Sequence, residues 1–204
     1  GSGKTAIAIL ALTKIVENGY QGALMAPTEV LAAQHFKTFQ QVFKGMPVKA
    51  AYLSGHTKAA ERKEILEQLK DGSIHILIGT HALIEENVVL SALGLVITDE
   101  QHRFGVDQRL ALRNKGLNVM TPHQLVMTAT PIPRTLAMSA YGDLDTSVID
   151  ELPPGRTPIQ TVTIPLDRRE EVLQRIATNC AEGKQAYWVC TLVEQSETLD
   201  AQAA

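Results

Sequence analysis

The sequence is poor in cysteine and in aromatic residues, and it has no long apolar run. Its 204 residues include two cysteines, Cys180 and Cys190, which are too far apart for a C-x-x-C motif. This pattern excludes a disulfide framework and favours a reducing, cytoplasmic compartment in which both thiols are unreactive. No run reaches the roughly 18 consecutive apolar residues of a membrane span, so we expect no membrane partner.

An excess of charge of one sign is also missing. Nineteen basic residues against 22 acidic ones give a formal net charge of −3. The chain as a whole therefore does not attract polyanions, and any nucleic-acid surface must be a local patch. Because 45% of the residues are hydrophobic and 20% are charged, the chain can bury a sizeable core. Its length fits one large domain, or one domain and part of another.

The first five residues, Gly1-Ser2-Gly3-Lys4-Thr5, match the end of a phosphate-binding loop, G-x-x-x-x-G-K-[ST]. The first glycine of that pattern would precede Gly1, so we expect the chain to be part of a longer protein. In such a loop, backbone N–H groups and a helix N-terminus hold the phosphates. Lys4 would add positive charge at the β- and γ-phosphates, and Thr5 would give a hydroxyl to magnesium. Taken alone, the pattern can also be a chance sequence at a helix start.

An acidic pair, Asp99-Glu100, follows an apolar run at residues 93–98. A carboxylate at the end of a strand in the same sheet as a phosphate loop is placed to bind magnesium, directly or through water, and we assign this role to Asp99. Glu100 would then orient and deprotonate the attacking water. Alone, the pair fits a solvated strand end better than a catalytic site. Together with the loop, it predicts hydrolysis of a nucleotide.

Apolar strand-like runs alternate with amphipathic helices along the chain. We expect helices at residues 4–18, 28–43 and 57–70, and strands at 22–26, 48–53, 74–78, 93–98 and 124–128. This alternation predicts an α/β fold with a mostly parallel sheet and helices on both faces. Ligands of such sheets bind at the carboxyl ends of the strands, where the loop and the acidic pair are both expected.

A proline-rich segment divides the chain. Residues 153–158 contain three prolines and a glycine, which cannot continue a helix or a central strand. We therefore assign residues 1–152 to a first domain, 153–158 to a linker, and 159–204 to the start of a second α/β unit. In that unit we expect strands at 159–164 and 185–190 and a helix at 168–181.

Several short segments resemble motifs of superfamily-2 helicases. They are the acidic motif Asp99-Glu100-Gln101-His102, the strand-contacting motifs Ala26-Pro27-Thr28-Glu29 and Gly79-Thr80-His81, and the motif Thr128-Ala129-Thr130, which couples hydrolysis to movement. Residues 99–105 and 127–135 are similar to the RecG family of branch-migration helicases and to the related transcription-repair coupling factors. Gln101 and residues 143–158 favour the RecG family. The resemblance covers essentially the whole chain.

The resemblance implies a fold, an activity and a set of partners. The fold is a RecA-like P-loop NTPase lobe followed by the start of a second such lobe. The activity is ATP-dependent helicase action on branched DNA, such as Holliday junctions and stalled forks, in recombination and repair. The cofactors are ATP and Mg²⁺, and the partners are branched or duplex DNA with a possible single-stranded-DNA-binding protein. The location is the nucleoid of a bacterial cytoplasm.

The resemblance also implies roles for individual residues. Gln101 would sense the γ-phosphate and His102 would couple hydrolysis to movement, so both join Asp99 and Glu100 in the catalytic set. Gly1, Ser2, Gly3, Lys4 and Thr5 would bind ATP, with magnesium on Thr5 and Asp99. Contact with DNA, or coupling to it, would fall to Pro27, Thr28, Gly79, Thr80, His81, Thr128, Ala129 and Thr130.

Other interpretations stay open. His81 fits a helix-capping role as well as a DNA contact, and Thr128 and Thr130 can simply hydrogen-bond a strand end. A double-stranded-DNA translocase of the transcription-repair coupling type is the alternative enzyme. The isolated chain can also be a non-catalytic nucleotide- and DNA-binding module, because the arginine-bearing motifs of a second lobe are not in it.

Overall fold

Five parallel strands form the central sheet of the structure, a computed structural model that describes residues 3–100, 104, 111–112, 115, 121–130, 145–151, 155 and 157–189. The strands are β1 (Gln21–Met25), β2 (Ala50–Leu53), β3 (Ile76–Gly79), β4 (Leu93–Asp99) and β5 (His123–Met127). Their order across the sheet is β2-β3-β1-β4-β5, and every neighbouring pair is parallel. Every residue of β1 and β3 is buried, as expected for central strands that are covered on both faces.

Three helices whose full lengths lie within the described residues pack on this sheet. They are α1 (Lys4–Glu17), α2 (Glu29–Val42) and α3 (Ala59–Lys70). The Thr28 side chain accepts a hydrogen bond from the Leu31 N–H (3.3 Å) and so caps the start of α2. A short 3-10 helix, His81–Ile84, follows β3 directly. No helix among the described residues is long and apolar enough to cross a membrane.

The helices cover both faces of the sheet, and each face has its own apolar core. The buried residues of α1 and α2 share one cluster with β1, β3 and β4: Ala8, Leu12, Ala32, Phe39, Leu24, Ile76, Ile78, Leu95 and Ile97. The buried residues of α3 form the second cluster with side chains on the opposite face of the strands: Ile65, Leu69, Ala23, Met25, Leu53, Leu77 and Val96. The predicted α/β fold, with a parallel sheet between two helical layers, is confirmed.

Close approaches fix the direction of α1 on the sheet. A Cβ atom at Gly22 would lie 2.0 Å from Leu12 Cδ2, and one at Gly94 would lie 3.4 Å from Ile15 Cγ2. The later turns of α1 therefore lie against the amino ends of β1 and β4. Because the first turn is at the other end of the helix, Lys4 lies towards the carboxyl ends of these strands.

The chain divides into two units, Gly1–Pro154 and Gly155–Ala204. In the second, a 3-10 turn (Leu166–Arg168) leads into α4 (Arg169–Ala181), where a helix was expected. The prediction of strands at residues 159–164 and 185–190 is wrong for the described residues, because residues 157–165 and 184–189 have no regular structure. A strand exists only through pairing with another strand, and the described part of this unit contains none. Its assignment to a second lobe stays a prediction.

Candidate nucleotide-binding and catalytic site

The predicted site residues that the structure describes lie around the carboxyl edge of the sheet. The start of α1 carries Gly3, Lys4 and Thr5, the end of β4 carries Asp99 and Glu100, and the segments after β1, β3 and β5 carry Pro27, Thr28, Thr80, His81, Thr128, Ala129 and Thr130, with Gly79 ending β3. Gly1, Ser2, Gln101 and His102 lie outside the described residues, and their roles stay predictions.

A left-handed glycine begins α1. Gly3 has φ 84° and ψ 9°, and its carbonyl accepts hydrogen bonds from the N–H groups of Ala6 (2.9 Å) and Ile7 (3.2 Å). A residue with a Cβ rarely adopts this conformation. The first turn of α1 contains no acidic residue, so no carboxylate there neutralises the positive end of the helix dipole. This geometry suits an anion such as a phosphate.

Two hydrogen bonds hold the Asp99 carboxylate. Oδ1 accepts from the Glu100 N–H (3.0 Å), and Oδ2 lies 2.9 Å from His35 Nε2 of α2. The Asp99 and His35 side chains are only 13% and 9% exposed. His35 belongs to none of the motifs that the sequence indicated, so it was not expected in the site. The available signal was a polar residue at a position where the helical period expects an apolar one.

The Glu100 carboxylate is bonded to the segment that follows β5. Its Oε2 accepts from Thr128 Oγ1 (3.1 Å) and its Oε1 from the Ala129 N–H (3.2 Å). The Glu100 N–H donates to the Met127 carbonyl (2.8 Å), and the Thr130 N–H donates to Thr128 Oγ1 (3.1 Å). Thus the structure joins the acidic pair directly to the Thr128-Ala129-Thr130 motif.

The backbone at Glu100 is unusual. With φ 51°, it is the one non-glycine residue with positive φ in the described part of the chain. This conformation costs about 1–2 kcal/mol for a residue with a Cβ atom. The Glu100 side chain contacts the segment that follows β5, and a strained residue of this kind is typical of functional sites.

The oxygen donors at this edge are of the type that Mg²⁺ uses. Thr5 offers a hydroxyl at the start of α1 and Asp99 a carboxylate at the end of β4. Mg²⁺ usually takes one or two carboxylates together with substrate phosphates and water, rather than a cage of protein ligands. The Thr5 hydroxyl and the Asp99 carboxylate therefore have the chemistry that Mg²⁺ takes from protein ligands. Residues that the structure describes form no group of three or more His, Cys, Asp or Glu able to hold a metal.

The residues expected to contact DNA differ in exposure. Thr28 and His81 are exposed and Pro27 is half-buried. Thr80 is only 2% exposed, and its Oγ1 has no hydrogen-bond partner among the described residues. Of these four residues, Thr28 and His81 present their side chains to solvent, whereas the Thr80 side chain faces the interior.

Gly79 marks a close approach between β2 and β3. A Cβ atom at this position would lie 1.9 Å from the Leu53 carbonyl oxygen and 2.4 Å from Leu83 Cδ1. No side chain fits there. Gly79 therefore sets the spacing of the strand ends that carry the neighbouring motif residues.

An exposed pair, Glu29 and His56, lies at the same edge of the sheet, after β1 and β2. His56 Nδ1 donates to Glu29 Oε1 (2.8 Å). This hydrogen bond lowers the pKa of Glu29 and raises the pKa of His56. The sequence did not predict the pair, because its members are 27 residues apart.

Comparison with known proteins places the chain among helicases. Residues 1–139 match the DEAD/DEAH box helicase family. The chain is 56% identical to the ATP-dependent DNA helicase RecG of Haemophilus influenzae and 52% identical to RecG of Bacillus subtilis; each alignment covers all of this chain and 30% of the relative. A solved structure of RecG bound to a three-way DNA junction superimposes with a TM-score of 0.73 and 46% identity, over 91% of this chain and 24% of that one. The resemblance to the RecG family is confirmed, and the chain spans less than a third of those relatives.

Proposed function

The chain belongs to the DEAD/DEAH box helicase family, and we propose that it is the first motor lobe, with the start of the second, of an ATP-dependent DNA helicase that acts on branched DNA. Two findings support the proposal: the RecG relatives match the whole chain, and a RecG structure that aligns with 91% of it is bound to a three-way junction. Branched or duplex DNA would be the substrate, in recombination and repair. By the same resemblance, we place the protein at the nucleoid of a bacterial cytoplasm, with a single-stranded-DNA-binding protein as a further partner.

The proposed mechanism uses the loop at the start of α1 and the acidic pair at the end of β4. The loop at residues 1–5 binds ATP, with Lys4 next to the β- and γ-phosphates. Thr5 and Asp99 hold Mg²⁺, which neutralises phosphate charge when it is bound. Glu100 orients the attacking water and takes its proton. Positioning and electrostatic stabilisation account for such catalysis without a covalent intermediate.

One observation carries this proposal. The Glu100 carboxylate accepts hydrogen bonds from Thr128 Oγ1 and the Ala129 N–H, while its neighbour Asp99 ends the adjacent strand. The side chain proposed to activate water is therefore in contact with the segment proposed to couple hydrolysis to movement. A change at either group alters the environment of the other.

The experiment compares three variants of the full-length protein for ATP hydrolysis in the presence of three-way-junction DNA. Lys4→Ala should lower turnover about a hundredfold or more, because it removes charge at the transferred phosphate. Glu100→Gln should lower turnover by about 10² to 10⁴ while nucleotide affinity is kept, because it removes the base alone. The control is Lys14→Ala in the last turn of α1, where the lysine pairs with Glu17 at 3.7 Å. Turnover in Lys4→Ala equal to that of Lys14→Ala would contradict the proposal.

A further inference from the structure

We propose that His35 is a positioning residue, which holds the Asp99 carboxylate in the orientation that binds magnesium. The inference rests on the proposed function, because it assigns His35 to the metal site of the ATP-binding lobe. It goes further in giving a role to a residue that lies in none of the helicase-like motifs. His35 lies in the middle of α2, seven residues after the cap Thr28.

The direction of the hydrogen bond follows from the chemistry of the two groups. An ionised carboxylate only accepts hydrogen bonds. At a separation of 2.9 Å from Asp99 Oδ2, the His35 Nε2 atom must therefore carry a proton and donate it. This hydrogen bond sets the orientation of the ring at Asp99.

The two hydrogen bonds to Asp99 come from different parts of the chain. Oδ1 accepts from the N–H of the next residue, Glu100, which is shared with the Met127 carbonyl, and Oδ2 is held by a side chain from another element 64 residues away. One bond alone would allow the carboxylate to turn about its side-chain torsions. With both bonds made, about half of the lone-pair sites of the carboxylate are used, and the remaining ones have a fixed direction.

His35 itself is held rigidly. Ala32 and Phe39, one turn away on either side, are fully buried, and both belong to the apolar core between α2 and the sheet. Residues on a packed helix place a functional group more precisely than residues on a loop. The position of the Asp99 carboxylate is therefore set by the packing of α2 on the sheet.

If the role of His35 were purely structural, its hydrogen bond to Asp99 would only hold α2 against β4. In that case its loss would lower stability and leave metal binding alone. A positioning role makes a different prediction, because loss of a group that orients a metal ligand typically weakens metal binding about 10- to 100-fold. Stability falls in both cases, because a buried hydrogen bond is lost, so metal affinity is the measurement that separates the two roles.

Two amide substitutions test this in the full-length protein. In His35→Gln, the side-chain nitrogen reaches the place of Nε2, so the bond to Asp99 is kept. In His35→Asn, the nitrogen reaches only the place of Nδ1, so the bond is lost. The probe is Mn²⁺ in the presence of a non-hydrolysable ATP analogue, with free Mn²⁺ measured by electron paramagnetic resonance. Nucleotide affinity in EDTA and thermal unfolding without metal are the controls.

We expect His35→Asn to weaken Mn²⁺ binding about 10- to 100-fold, while His35→Gln binds Mn²⁺ as the wild type does. Both variants should keep the metal-free nucleotide affinity, and the unfolding temperature of His35→Asn should fall by no more than the loss of one buried hydrogen bond accounts for. Unchanged Mn²⁺ affinity in His35→Asn would overturn the inference, and so would an equal loss in both variants. Failure of the proposed function is distinguishable, because then the wild-type protein itself would not hydrolyse ATP with branched DNA.

Discussion

Replacing Glu100 by glycine is expected to leave the sheet more stable than replacing it by alanine, by about 1 kcal/mol. Both variants lose the carboxylate and its bonds to Thr128 and Ala129, so these losses cancel in the comparison. What differs is the backbone, which has φ 51° at this position. A residue with a Cβ atom costs about 1–2 kcal/mol in this region. Glycine has no such cost, but its extra freedom in the unfolded chain lowers the advantage of Glu100→Gly by about 0.4–1 kcal/mol.

Hydrogen exchange of the β4 and β5 amides in the full-length protein is a suitable assay, because it reports local opening within a larger molecule. The control is the same pair of substitutions at Lys63, which is exposed in α3. There the glycine variant should be less stable than the alanine variant by about 1 kcal/mol, the usual order inside a helix. If Glu100→Ala were as stable as Glu100→Gly, Glu100 would not be strained, and the argument from its backbone would fail.

Two further predictions concern other positions at this edge. Gly79→Ala should destabilise the sheet by about 3 kcal/mol or more, because its Cβ would lie 1.9 Å from the Leu53 carbonyl oxygen. The control is Gly55→Ala, whose Cβ would have nothing within 4 Å and which should unfold like the wild type. Equal unfolding temperatures of the two variants would contradict this prediction. Glu29→Gln should lower the raised pKa of His56 towards its ordinary value of about 6.5, as measured by NMR titration. The interaction of this pair is lost as pH rises through the raised pKa of His56 and as pH falls through the lowered pKa of Glu29. An unaltered His56 titration in Glu29→Gln would show that the two side chains do not interact.

The features that the sequence predicted well are those encoded locally. Apolar period located α1, α2 and α3, and a helix start such as Thr28 and a stop such as Gly19 act within one turn. The start of α3 was wrong by two residues, because the helix begins at Ala59 with Lys58 before it. Apolar runs located all five strands of the sheet, although β2 and β3 begin two residues later than expected. The placement of Asp99 at the end of a strand followed from the same local reading, with no knowledge of the strand order.

The hydrogen bonds of the site depend instead on contacts between distant segments. His35 and Asp99 are 64 residues apart, and Glu100 and Thr128 are 28 apart. A helical period shows that a residue faces the sheet, but the strand order decides which side chain it meets there. Because β4 lies between β1 and β5, the helix that follows β1 can reach the end of β4 from one side, and the segment after β5 reaches it from the other. Asp99 and Glu100 are thus held by different neighbours, so a substitution at His35 and one at Thr128 disturb different members of the acidic pair.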